Sequence, residues 1–404
     1  MRNENAKNHE ADPSVHLLYL DGLRGLAALW VLMNHIWVQI WPVFRNQWPS
    51  QLTWHTTGWL LYGHFAVDIF IVLSGFCLMK PVVKNDGVLF GGAKNFYKRR
   101  ARRILPTYYF AIAFCLILIV TLVGQHTGTP WDLSVPVQPI SIVTHVLLIH
   151  DIFSDRGGLE INGAFWSIAV EWHIYFLFPA MLILWKKIGA IKTTGIAILI
   201  AYYINFLLSG TPYIKTTPHY LALFALGMLG AQIAFSDLPL WQRVKTSFHW
   251  KLITLSLATI LLAWCVTWGW YGTSTYLAFV DFVVGLTTMS LLVMLDSQSA
   301  NDTLRRLLSG RVLVFIGTIA YSLYLIHLPL VQFVWQYVVN PLHLNPELSF
   351  SLLTLLAVPA IIGCSYLFYL CCEKPFIGRK AQKVTQPTET RKFLFLRKRT
   401  FDTI

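Results

Sequence analysis

Apolar runs of about twenty residues recur from one end of this chain to the other, each broken by a short polar link. A helix of that length matches the roughly 30 Å hydrocarbon core of a bilayer, where only structures that pair every backbone amide internally survive. The pattern predicts an all-α polytopic membrane protein with about ten transmembrane helices in one bundle, and it excludes a soluble globular domain. Composition agrees, because 55% of the 404 residues are hydrophobic and 13% are charged. The spans are expected near residues 20–42, 58–80, 104–124, 164–186, 190–209, 217–236, 251–269, 273–296, 312–338 and 348–372. Residues 1–19 are polar and carry no signal-peptide pattern, so the first run is expected to be kept as a helix. Residues 20–376 then form one membrane domain between the tail 1–19 and a basic tail, 377–404.

Lys and Arg outnumber Asp and Glu by 32 to 19, an excess that in a soluble chain would suggest nucleic acid. Its placement gives another reading. With the N-terminus in the cytoplasm, the even-numbered links carry the stretch Lys80 to Arg103, then Lys186 and Lys187, the Arg243, Lys245 and Lys251 group, and Arg305, Arg306 and Arg311. The opposite links hold Arg45, Arg156 and Lys215. This positive-inside asymmetry predicts both termini in the cytoplasm and no nucleic-acid partner. The tail segment RKFLFLRKR also suits anionic membrane lipids. The six cysteines lie in or beside apolar runs, at spacings that fit neither a disulfide framework nor zinc, and no metal is expected. The link 125–163 contains VTHVLLIH, too short to span and expected as a re-entrant or interfacial segment.

Within the first run, RGLAALWVLMNH has a cation at one end, Arg24, and an imidazole at the other, His35. Eleven residues are close to three helical turns, so the two side chains share one face about 16 Å apart along the axis. Ionisable residues inside a span are expensive and commonly face a bundle interior or a water-filled cavity. An arginine reaching for headgroups and a histidine bonding a neighbouring helix would fit the pair equally well. Other spans add to it. His64 and Asp68 stand four apart in HFAVDIFIVLSGF, Glu171 lies in FWSIAVEWHIYFLFP, and Asp281 and His327 are embedded further on. Their similar depth predicts a polar chamber opening outward, although His64 and His327 also suit plain interhelical hydrogen bonds. At the other face, Lys98, Arg99, Arg100, Arg102 and Arg103 form a cluster whose forked donors suit phosphate oxygens, with Pro106 expected in the first turn of the following helix.

The ordered blocks LDGLRGLAALWVLMNH, HFAVDIFIVLSGF, KRRARRILPTYY, FWSIAVEWHIYFLFP, YSLYLIHLPL and EKPF resemble the signature of the acyltransferase 3 family, membrane-embedded acyl-CoA-dependent O-acyltransferases. They run from Leu20 to about Phe376. The family's Arg-then-ten-then-His motif falls on Arg24 and His35, and its basic RxxR motif on Arg100 and Arg103, with Arg99 adjacent. Its glutamate falls on Glu171, and the position of a second glutamate is Trp172 here. The resemblance implies acetyl-CoA or another acyl-CoA as co-substrate. It implies an acceptor hydroxyl on a cell-envelope carbohydrate, glycolipid or lipid-linked glycan, and the cytoplasmic (inner) membrane of a bacterium.

On that reading the coenzyme A phosphates dock on Arg99, Arg100, Arg103 and Arg24 by charge-assisted bonds. The thioester reaches His35, which takes the acceptor's proton as base or is itself acylated. Glu171 or Asp68 is the candidate carboxylate to pair with the second ring nitrogen of His35. Asp281 has no assigned role. Two rival readings remain at this level. One is a proton-coupled secondary transporter, which would use the same buried acids and histidines. The other is an acyl-group translocator that leaves the final transfer to a separate protein.

Overall fold

The computed structural model describes residues 17–152, 158–211, 213, 216–297 and 302–377. Most of the two tails, and Arg156 and Lys215, lie outside the described residues. Helices run α1 (Leu18–Ile40), α2 (Gln51–Thr57), α3 (His64–Val83), α4 (Gly92–Leu118), α5 (Pro139–Val146), α6 (Trp166–Ile188), α7 (Ala190–Leu208) and α8 (Tyr220–Phe235). They continue as α9 (Pro239–Ser247), α10 (Trp250–Thr275), α11 (Leu277–Ser297), α12 (Thr303–Leu308), α13 (Arg311–Thr318), α14 (Ala320–Val334) and α15 (Pro346–Phe368). No strand occurs among the described residues. Nine helices there are long and apolar enough to cross a membrane, or ten if α8 and α9, bent by 98° at their junction, form one broken span. The chain is a multi-pass helical membrane protein.

Two helices show opposite reasons for being apolar. Every residue of α8 except Leu221 and Leu229 is buried, because α3, α11, α7 and α6 surround it. A helix enclosed on all sides needs no polar face. By contrast, only 6% of the apolar window of α10 is buried, so its Leu252, Leu255, Leu262 and Val266 face outward, as a lipid-facing helix requires. The second half of the bundle is built on α1, which packs against α12, α13, α14 and α15 and also touches α3.

The join between α3 and α8 sets how closely the core can pack. A Cβ on Gly75 would fall inside the carbonyl oxygen of Phe224, and one on Gly227 inside that of Val72. Backbone therefore meets backbone, the arrangement that small residues allow when lipid supplies no hydrophobic drive between helices.

Three local features differ from the sequence expectation. Helix α4 starts at Gly92, about a dozen residues before the expected span, because Lys, Arg and Ala are good helix formers that carry the helix past the apolar run. Pro106 is therefore inside the helix, not in its first turn, and the Arg102 carbonyl loses its usual donor. Gly269, at φ 59°, breaks α10, and the chain resumes a helical course from there to Thr275. The segment VTHVLLIH forms the end of the eight-residue α5 and the turn after it. Ile140, Val143 and Leu147 are exposed on one side while Ser141, Thr144 and His145 are buried on the other, a two-faced piece suited to an interface.

The close α3–α8 approach makes a direct prediction. Gly227→Val should lower the melting temperature of the detergent-purified protein by several degrees, because overpacking costs about 1–3 kcal/mol or more. Gly195→Ala, on α7 with nothing within 4 Å of an added Cβ, should leave it unchanged or slightly higher.

Candidate active site

At the end of the bundle where α1 begins, here the proximal end, α1, α3, α4, α6, α13 and α14 enclose a cavity of about 310 Å³. Arg24, Arg100 and Arg103 all line it. Arg24 points inward from the second turn of α1. Its Nη1 donates to Asp21 Oδ1 at 2.7 Å, one turn back on the same helix, and its Nη2 lies 2.9 Å from Cys77 Sγ on α3. Arg100 and Arg103 stand three apart on α4 and so share a face, which is why an RxxR spacing places both at the cavity. Arg100 Nε is buried with no hydrogen-bond partner among the described residues. Arg99 projects from another face of α4, is exposed, and donates to the Phe90 carbonyl at 3.0 Å. Of the four cations expected to bind phosphate, three converge on the cavity and Arg99 stays outside it.

Two carboxylates line the same cavity. Glu171 accepts a hydrogen bond from Tyr175, one turn on along α6, and the Tyr175 hydroxyl also meets Ser74 Oγ of α3 at 2.8 Å. Glu373 is buried and accepts from Ser322 Oγ at 2.6 Å. Sequence reasoning did not single out Glu373 or Tyr175 as site residues, although both stand in quoted blocks, EKPF and VEWHIYF. Trp172, at the second glutamate position, packs edge-on against Phe176.

Away from the arginines the cavity wall includes Ser167 and Tyr324, whose hydroxyls are 2.7 Å apart. One turn further along α14 is His327. Its Nδ1 lies 2.8 Å from the Tyr324 carbonyl, which only an N–H can satisfy, so in the neutral ring Nε2 carries the lone pair. That Nε2 is buried without a partner among the described residues. The His35 ring lies against the His327 ring, with centroids 5.0 Å apart and planes tilted by 45°. His35 is half-buried and makes no hydrogen bond among the described residues. Beyond the two rings, Gln39 donates to Gln332 at 2.7 Å and Thr129 donates to the same oxygen at 3.1 Å, which closes this side of the bundle.

Among the described residues, no carboxylate pairs with His35 as expected. Glu171 is bonded by Tyr175 in the arginine-lined cavity, and Asp68 lies in a separate group with His64, His219, Tyr220 and Asp281. The expected single polar chamber is three groups: the cavity, the His35–His327 pair, and the cluster around Asp68. Residues of similar depth point in different directions around the bundle axis, and depth was the coordinate the sequence supplied. The Asp68 cluster holds three donor atoms, from His64, Asp68 and Asp281, close enough to share an ion.

Two arginine-bearing helices thus meet at one cavity, with a histidine pair a turn beyond its far wall. The profile of the acyltransferase domain family matches residues 17–370. The chain belongs to this family. A relative in Bacillus subtilis (strain 168), the provisionally named peptidoglycan O-acetyltransferase YrhL, is 26% identical over 78% of this chain and 49% of its own length. The O-acetyltransferase OatA of Staphylococcus aureus (strain NCTC 8325 / PS 47) is 25% identical over 80% of the chain and 51% of its own length. The chain thus spans about half the length of the curated relatives it matches. No solved structure matches.

The chain also carries a histidine stack in its 125–163 segment. His145 and His150 are both buried, with parallel rings 3.9 Å apart, and His145 Nδ1 lies 2.7 Å from the Ser141 carbonyl. Burial pushes His145 down to about 4 and His150 down to about 3, the latter also by its stacked neighbour. Both are neutral in the folded protein where the unfolded chain would begin to protonate, near pH 6.5. Their contribution is fully present above pH 6.5 and is lost as pH falls below it, because the unfolded state binds more protons there. Thermal melts should fall by a few degrees between pH 7 and pH 5, on the order of 1–2 kcal/mol per histidine. His150→Phe, which keeps the stack without the proton, should flatten that slope.

Proposed function

We propose that this acyltransferase transfers an acyl group, acetyl by default, from cytoplasmic acyl-CoA to a hydroxyl on an extracytoplasmic cell-envelope glycan or glycolipid. It would act in the cytoplasmic membrane of a bacterium, with both termini inside and membrane lipids around it. The observation that carries the reading is the convergence of Arg24, Arg100 and Arg103, from helices far apart in sequence, on one cavity whose far wall leads through Tyr324 to His327 and His35. The family membership supports acyl transfer. The relatives' names support acetyl as the group and a wall glycan as the acceptor.

In this reading Arg24, Arg100 and Arg103 bind phosphate oxygens of coenzyme A by charge-assisted bonds. A volume of about 310 Å³ is at the low end for a small-molecule site, so the cavity takes the narrow pantetheine arm while the nucleotide stays at the proximal mouth. Glu171 and Glu373 offset the mutual repulsion of the arginines and hold Tyr175 and Ser322 in place. The thioester then points along α14 towards the histidine pair.

There, His35 acts as the base. The acceptor oxygen attacks the thioester carbonyl carbon as its proton passes to His35, the carbon–sulfur bond breaks, and the proton is returned to the departing thiolate. His327 takes the part expected of Glu171 or Asp68: once the two rings close to hydrogen-bond distance, its Nε2 lone pair accepts the second N–H of the imidazolium that forms. A neutral partner stabilises that cation less than a carboxylate would, and it leaves no uncompensated charge when His35 is neutral.

The binding half of the reading is tested with purified protein and coenzyme A. Arg100→Ala should weaken binding about 10–100-fold, the worth of one or two charge-assisted hydrogen bonds. Arg99→Ala, outside the cavity, should change it less than about threefold by the same scale. Unchanged binding by Arg100→Ala would remove the cavity from coenzyme A recognition.

A further inference from the structure

A second constellation lies where α3, α8 and α11 meet, and acyl transfer makes no use of it. Asp68 and Asp281 are both fully buried. Neither oxygen of Asp68 has a hydrogen-bond partner among the described residues, and Asp281 Oδ1 has none either. His64 Nε2 faces three oxygens at once: Tyr220 Oη at 3.1 Å, Asp281 Oδ2 at 3.2 Å and Asp68 Oδ1 at 3.7 Å. The donor atoms of His64, Asp68 and Asp281 all lie within 4.8 Å of one another.

Protons alone account poorly for this arrangement. A single Nε2–H can serve one acceptor, and charge-assisted N–H···O bonds usually measure about 2.7–2.9 Å. At His64 the separations are longer, 3.1–3.7 Å, and shared among three helices. An ion bound tetrahedrally at about 2.0–2.2 Å places its ligand atoms about 3.3–3.6 Å apart. The observed 3.2 and 3.7 Å bracket that edge. The charge balance agrees, since two carboxylates and one divalent cation sum to zero, which an apolar bundle favours over two closely spaced anions.

We infer that His64 Nε2, Asp68 and Asp281 bind a divalent cation, zinc by the character of the ligands, which staples α3 to α11. Imidazole nitrogen and carboxylate oxygen are both zinc ligands, and Tyr220 Oη, 3.1 Å from His64 Nε2, can supply a fourth. The surroundings already resemble a supporting layer for such a site. His219 Nε2 lies 2.9 Å from Asp281 Oδ2, and its Nδ1 is 3.2 Å from Asn205 Oδ1, so a ligand carboxylate is itself held in place. The His64 ring lies nearly parallel to Trp166, at 9°, which fixes its direction. The partly exposed side of His64 gives the ion a way in. The spacing of these residues gave no sign of the site, because Asp281 comes from a helix more than 200 positions along the chain.

The test uses the full chain in detergent with any affinity tag removed. After chelator treatment it is given zinc, desalted, and its metal content measured by elemental mass spectrometry, with melting temperature read in parallel. Wild type should retain about one equivalent and melt higher with zinc than without. Asp281→Asn and His64→Gln should each lose both effects. If Asp281→Asn does not give monodisperse protein, His64→Gln decides, since His64 is partly exposed in the first turn of α3. Cobalt in place of zinc should give wild type the visible absorption of a tetrahedral ion, absent from His64→Gln. Wild type that retains no zinc, or variants that retain as much as wild type, would overturn the assignment.

Discussion

A charged side chain drawn into an apolar helix bundle must be met there by polar groups from neighbouring helices, and the functional half of this molecule is organised around that requirement. Arg24 shows it most clearly. Asp21 lies one turn behind it and Cys77 comes across from α3, so the guanidinium is held inside the bundle and aimed at the cavity. Leaving a buried ion unmatched costs several kcal/mol after relaxation. The same demand draws Tyr175 to Glu171, with Ser74 bonded in turn to the Tyr175 hydroxyl, and Ser322 to Glu373. Each match crosses between helices or between turns, and together they fix the cavity's shape as effectively as apolar packing does.

Function follows from separating unlike chemistry along one axis. Cations gather at the proximal end, and the histidine pair stands beyond Tyr324. In the proposed function, anionic groups of coenzyme A bind at the first and a proton is exchanged at the second. Helix α1 carries a residue of each kind, Arg24 and His35, and α14 carries the strip between them. A rigid helix is a good ruler, so the two chemistries keep a fixed distance whatever the surrounding loops do.

Much of this was legible in the sequence where the geometry is local. The Arg24–His35 relation is a matter of turns on one helix, and Arg100 with Arg103 is a matter of three residues. The apolar runs gave the fold class and the number of spans to within the ambiguity of one bent pair. What the sequence could not supply was rotation about the bundle axis. His35, Glu171, Asp68, Asp281 and His327 were expected together on depth alone, whereas packing turns Asp68 towards α8 and α11, Glu171 towards the arginines, and His35 towards His327. The role of Glu373 was hidden for a related reason, since its partner Ser322 comes from an earlier helix. Arg99 was grouped with its neighbours by adjacency, but consecutive residues on a helix point about 100° apart.

In the proposed function, an acyl group passes from one face of the bundle to an acceptor at the other through His35. Sealed vesicles test it, oriented with the Arg99–Arg103 face outward, supplied outside with acetyl-labelled acetyl-CoA and loaded inside with envelope glycan. Wild type should release free coenzyme A outside and place label on the lumenal glycan. His35→Ala should do so at least about 100-fold more slowly, the low end of what a general base contributes. Equal labelling by the two proteins would contradict the account.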